Sequence, residues 1–142
     1  MIWRDLARMA TVMLLLAMGA LAVQAEEMMS TAMTPEEVKT KLGTPQAPLI
    51  VDVRTPAEFG IAHLPGAVNI PLAELEKRLD ELRQDHGNGV LIYCLNGSRT
   101  LQAEPILYTH DIDNVYHLEG SLEGWLLKNY PIEKGGVNRK AW

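Results

Sequence analysis

The chain contains a single cysteine, Cys94, among its 142 residues. That excludes both a disulfide framework and a cysteine-built zinc cluster. Aromatic residues are scarce at 6%, with one phenylalanine, so a core must be assembled from Leu, Ile and Val. No run of five or more basic residues occurs, and 13 Lys/Arg against 18 Asp/Glu leave a net charge of −5. The electrostatic footprint of a nucleic-acid binder is therefore missing. No internal repeat of 20–50 residues is present. The histidines His63, His86, His110 and His117 fall at no metal-ligand spacing, so no metal site is expected. Methionine is absent after Met33, although seven precede or occupy that position.

What the first quarter does contain is an export pattern. Arg4 and Arg8 supply a positive start, and Met9 to Val23 is an uncharged, mostly apolar run. Val23-Gln24-Ala25 then offers small residues where a signal peptidase reads them. Residues 1–25 are expected to be a signal peptide and the mature chain periplasmic. A spanning helix needs about 20 apolar residues, so membrane contact is expected only through an uncleaved signal. Residues 26–33 read as a short tether, 34–133 as one domain, and 134–142 as a tail.

From Thr34 the pattern alternates between helix and strand. Thr34-Pro35-Glu36-Glu37 and Thr55-Pro56-Ala57-Glu58 are both capping boxes with proline at the first helical position. Leu49–Val53, Ala67–Ile70, Val90–Tyr93 and Val115–Leu118 are short β-rich runs. Val90-Leu91-Ile92-Tyr93 is apolar on both faces, as a strand buried inside a parallel sheet must be. Leu72, Leu75, Leu79 and Leu82 form a helical stripe, and helices are expected from Ser98 to Tyr108 and from Ser121 to about Asn129. Strands separated by helical segments predict an α/β fold: a parallel β-sheet covered by helices on both faces.

In open α/β sheets, chemistry sits where strands end and helices begin. Cys94 occupies that position, with Leu95-Asn96-Gly97-Ser98-Arg99 leading into the next helix. Successive amides of such a loop make a nest for an anion, and the helix N-terminus and Arg99 add positive charge. All three favour thiolate, which is the nucleophile. A lone cysteine after a buried strand is more often an inert small hydrophobe. An unpaired thiol in an exported protein is, however, an oxidation hazard, which argues for use. Phosphate, arsenate, sulfate and thiosulfate would all suit such a cradle. Asp52 with Arg54, and His63 before Pro65-Gly66, read as structural residues.

Four motifs in order carry a resemblance: Val51-Asp52-Val53-Arg54 with Glu58-Phe59; His63-Leu64-Pro65-Gly66-Ala67 before Asn69-Ile70-Pro71; Tyr93-Cys94 with Gly97 and Arg99; and Leu118-Glu119-Gly120 ahead of Trp125. Together they resemble the rhodanese-like (thiosulfate sulfurtransferase) family, in its small exported single-domain form. The resemblance implies that Cys94 is catalytic and carries a persulfide. It implies that Arg99 holds a small anionic sulfur donor such as thiosulfate, and that the amides of Leu95, Asn96, Gly97, Ser98 and Arg99 cradle the terminal sulfur. The sulfur then passes to a thiol acceptor or cyanide, with no cofactor.

Phosphatase cousins of the fold separate cysteine and arginine by five residues, whereas four intervene here. An arsenate- or phosphate-handling enzyme is thus the weaker alternative, beside a binding module of the same fold with negligible turnover. Three positions depart from the family pattern. Leu95 stands where relatives place a polar or charged residue, Ser121 replaces one of the usual glycine pair, and Pro105 should kink or shorten its helix.

Overall fold

The computed structural model describes residues 2–27, 30–83 and 87–136. Five strands form one sheet: β1 (Thr31–Met33), β2 (Leu49–Asp52), β3 (Val68–Asn69), β4 (Val90–Tyr93) and β5 (Val115–Leu118). Their spatial order is β1-β5-β4-β2-β3, and every pairing is parallel. The helices are α1 (Ile2–Glu27), α2 (Pro35–Lys41), α3 (Pro56–Ile61), α4 (Leu72–Leu75), α5 (Ser98–Tyr108) and α6 (Ser121–Leu127). Among the described residues, no helix is long and apolar enough to cross a membrane. The large apolar side chains of α1 from Ile2 to Met18 are exposed.

Both capping boxes form as the sequence predicts. The Thr34 hydroxyl accepts from the Glu37 amide at 3.2 Å while Glu37 accepts from the Thr34 amide at 2.8 Å. Thr55 and Glu58 repeat the exchange at 3.3 and 3.0 Å. Each box satisfies two amides that a helix start otherwise leaves unpaired.

Alternation along the strands splits the core between two faces. Val90 and Ile92 of β4 pack with Leu75, Leu79, Ala103 and Leu107 on the α4/α5 face. Leu91 and Tyr93 pack with Val38, Phe59, Leu122 and Trp125 on the α2/α3/α6 face. Each fully buried Leu, Ile or Val contributes roughly 1.5–3 kcal/mol of transfer free energy. The sheet is thus covered on both sides, and β4 at its centre is wholly buried.

Two expectations are corrected. Thr31–Met33, expected within the tether, form edge strand β1, paired in register with Tyr116–Leu118. Three residues carry too little pattern to announce a strand, and backbone pairing to β5 decides them. The single helix expected over Leu72–Leu82 is instead α4 followed by a 3₁₀ turn, Glu76–Glu81, with Arg78 off helical geometry at φ −118°. The Arg78 guanidinium binds Glu81 at 2.6 Å and the Asn69 carbonyl at 3.2 Å, which ties the turn to β3. The helix α5 has its expected bounds, Ser98 to Tyr108, so Pro105 does not shorten it. The proline lies on the exposed side, where the carbonyl it leaves unpaired can be met by water.

Candidate active site

Connections run from β2 to β3 on one side of β4 and from β4 to β5 on the other, so the strand order reverses beside β4. A crevice forms at such a switch point, beyond the carboxyl end of the strand. Cys94 is the first residue past that end. Its side chain is wholly buried against the α4/α5 core.

The loop from Leu95 to Gly97 turns the chain back around the sulfur. Gly97 adopts φ +96°, in the left-handed region that glycine tolerates and a β-carbon does not, and stands as the cap of α5. This conformation aims the Gly97 amide at Cys94 Sγ, 3.1 Å away. The amides of Arg99 and Thr100, in the first turn of α5, also serve the sulfur. Burial pushes the Cys94 thiol up. The Thr100 hydroxyl and these three amides outweigh it and hold the thiol below its ordinary value.

Thr100 is a residue that sequence reasoning passed over. Its hydroxyl is buried and makes no regular hydrogen bond to any described group. It lies against the sulfur and becomes a donor to it once the sulfur is ionised. A threonine after Arg99 carries no signal in isolation. The role emerges only because the first turn of α5 wraps the sulfur.

The structure redistributes the other predicted site residues. Leu95 does not face the crevice: its side chain packs against the α2/α3/α6 core, and its carbonyl accepts from the Glu123 amide at 3.0 Å. The Cys94 carbonyl likewise accepts from the Leu122 amide at 3.0 Å, so the start of α6 braces the loop. The Ser98 amide is spent locally on Asn96 Oδ1 at 3.2 Å, and is not turned on the sulfur. Of the amides expected to cradle a terminal sulfur, those of Gly97 and Arg99 act on the Cys94 Sγ itself, joined by that of Thr100.

Arg99 forms a two-pronged pair with Glu58, at 2.8 and 2.7 Å. The guanidinium, joined by the Thr55 bonds of the capping box, holds the Glu58 carboxyl far below the usual carboxylate range, and Glu58 in turn raises Arg99. The α3 cap and the Arg99 head are therefore one unit. The sequence marked Glu58 as structural but gave no sign of this partner 41 residues away.

Asp52 and Arg54 are buried and bonded to each other, with Arg54 Nη2 at 2.6 Å from Asp52 Oδ2 and at 2.6 Å from the Ala62 carbonyl. They tie the end of β2 to the end of α3, in keeping with their structural reading. Tyr93, at the end of β4, accepts from the Leu64 amide at 3.0 Å. Burial, together with nearby Asp52, pushes its phenol upward. His63 bonds the Phe59 carbonyl at 2.8 Å and stacks on the Phe59 ring, which bears out its place as a turn residue. His86 lies outside the described residues.

The chain that carries this loop has relatives among known proteins. A family model described as a rhodanese-like domain matches residues 34–128. A sulfurtransferase of Allochromatium vinosum is 32% identical over 97 residues, covering 68% of this chain and 89% of that protein. An uncharacterized Bacillus subtilis protein is 38% identical over 76 residues, 54% of this chain and 59% of its own length, so the match spans somewhat over half of that relative. Among solved structures, a thiosulfate sulfurtransferase from Pseudomonas aeruginosa superposes with a TM-score of 0.68 at 29% identity, over 78% of this chain and 21% of that one. With a family model over residues 34–128 and a relative 32% identical across 89% of its own length, this chain belongs to the rhodanese-like domain family.

Proposed function

We propose that the protein is a sulfurtransferase that moves sulfane sulfur from thiosulfate or a persulfide to a thiol or cyanide through a Cys94 persulfide. The observation that carries this reading is the Cys94 sulfur itself. It is buried, yet its thiol is held below its ordinary value by the Thr100 hydroxyl and by amides, one of them 3.1 Å away. A buried thiolate stabilised by fixed donors is a nucleophile that needs no separate base. Attack on the outer sulfur of thiosulfate forms one S–S bond and expels sulfite. The same amides then face a persulfide in place of a thiolate. Arg99 supports the approach of the anionic donor, and its pairing with Glu58 sets how much of its charge the donor meets.

Four residues between Cys94 and Arg99 make a narrow ring, which favours a single sulfur over a tetrahedral phosphoryl or arsenyl group. Intact-mass spectrometry after thiosulfate treatment tests the reading. The folded protein should gain one sulfur atom, lose it to cyanide or a reducing thiol, and gain none as Cys94→Ser. If neither thiosulfate nor a persulfide leaves an adduct, the binding-module reading takes its place.

The proposed location is the periplasm, with residues 1–25 acting as a cleaved export signal. N-terminal sequencing of the exported protein should then begin at Glu26; an intact Met1 in a membrane fraction would overturn it.

A further inference from the structure

Both arginines around the site are already committed. Arg99 gives Nη1 and Nη2 to the two carboxylate oxygens of Glu58, at 2.8 and 2.7 Å. The fork with which arginine grips an anion is therefore filled by a group of the protein itself. Arg54 is buried and spends Nε and Nη2 on Asp52 and the Ala62 carbonyl. No lysine is among the groups that most affect Cys94, Glu58 or Arg99.

The charge that a sulfur donor meets follows from this pairing. Asp52 and Glu58 cancel Arg54 and Arg99, so an ionised Cys94 leaves the group with one net negative charge. Titration near neutral pH does not open the outer pair, because Arg99 and the Thr55 bonds hold the Glu58 carboxyl far below the usual carboxylate range. Thiosulfate arrives as a dianion and meets like charge, with no free fork to offset it. Prising Glu58 off Arg99 instead would set a bare carboxylate beside the incoming anion.

A second observation points the same way. Ile61 is 73% exposed and lies one turn after Glu58 on α3. That i, i+3 spacing places the two side chains on one helix face. An inorganic anion gains nothing from an apolar side chain beside the pair, whereas an organic donor can cover it. We infer that the site takes its sulfur from an organic persulfide in preference to thiosulfate, and that Glu58 is the residue that sets this preference. The inference rests on the sulfurtransferase reading and narrows its donor.

The step balances without an outside oxidant. The Cys94 thiolate attacks the outer sulfur of R–S–SH. A bond from Cys94 to that sulfur forms as the donor's own S–S bond breaks, and the donor leaves as R–S⁻. The outer sulfur keeps its proton throughout. Cys94 is oxidised to the persulfide, and the inner sulfur of the donor is reduced to a thiolate. The reacting end of this donor is neutral, so its approach is not opposed by the charge of the site.

The test is single-turnover loading of the full chain, followed by intact mass against time. The donors are thiosulfate and cysteine persulfide, whose amino and carboxyl charges cancel. Added sodium chloride should speed loading from thiosulfate and change loading from the persulfide little, since salt screens like charges. Glu58→Gln retains a residue that completes the capping box. It should lower the persulfide-to-thiosulfate rate ratio about five-fold, as removal of one partly solvated charge implies. Ile61→Asn, at an exposed position, should also lower the ratio, by slowing the persulfide alone. A ratio that neither variant moves, or thiosulfate loading that is indifferent to salt, overturns the donor preference while transfer through Cys94 stands. Wild-type protein that loads from neither donor overturns the sulfurtransferase reading itself.

Discussion

Replacing Thr100 with valine changes little in shape and removes one hydroxyl from beside the Cys94 sulfur. In the folded protein that hydroxyl is buried and has no other partner. It is the largest of the influences that lower the Cys94 thiol, ahead of the amides of Thr100, Arg99 and Gly97. A hydrogen bond to a charged group is worth about 1.5–3 kcal/mol, and one pKa unit corresponds to about 1.4 kcal/mol. Thr100→Val should therefore raise the Cys94 thiol by about 1–2 units and cut the thiolate fraction near neutral pH accordingly. Thr100→Ser, which keeps the hydroxyl, should stay near wild type. The assay is thiolate absorbance near 240 nm against pH, corrected with Cys94→Ser and checked by alkylation rate.

Stability should respond in the opposite sense at low pH. There the cysteine is a neutral thiol, and deleting a buried orphan hydroxyl costs nothing and can stabilise. Because the folded thiol lies below its unfolded value, it contributes stability that is full above about pH 8.5 and is lost as pH falls through the folded value. Thr100→Val should flatten that rise. An unchanged thiol titration in the valine variant would refute the reasoning, as would an equal shift in the serine variant.

Other outcomes follow from the same geometry. Glu58→Gln frees Arg99 from its two-pronged partner, so the protein should load at lower thiosulfate concentration, whereas Arg99→Ala should need more; both are read from the concentration dependence of persulfide formation. The same depressed Glu58 carboxyl contributes stability above its unfolded value near pH 4.3 that is lost as pH falls. Because the pair is partly solvated, the loss in acid unfolding should be no more than about 1 kcal/mol, and Glu58→Gln should abolish it. Gly97→Ala meets no steric block, but at φ +96° it costs about 1–2 kcal/mol of backbone strain. It should also turn the amide off the sulfur, seen as lower stability together with a higher thiol titration. Trp125→Ala empties a fully buried site and breaks the 2.8 Å bond to the Pro131 carbonyl, and should cost about 3–5 kcal/mol in denaturant unfolding.

How much of this was readable from residues alone depended on the range of the interaction. The capping boxes at Thr34 and Thr55, the doubly apolar strand at Val90–Tyr93 and the cysteine at its end are local patterns. Each is completed within about one turn or one strand, so the chain announces it without knowing its neighbours. The alternation of such segments was enough for a parallel sheet covered on both faces, and for Cys94 at a strand-to-helix turn. Strand β1 escaped because three residues hold no period, and only the open edge of β5 defines their conformation.

Partners across the fold stayed hidden for a related reason. Glu58 and Arg99 lie 41 residues apart, and Ser30 meets His117 across 87. Nothing in a one-dimensional pattern says which side chains the crossovers will bring to the same end of the sheet. The sequence alone determined the local elements and the place of Cys94 at a strand end, because hydrogen bonds and hydrophobic period act within a few residues. Tertiary packing alone decided which donors surround Cys94, that Leu95 turns into the core, and that Glu58 holds Arg99. Those are contacts between segments, and they exist only once burial has closed the two faces of the sheet.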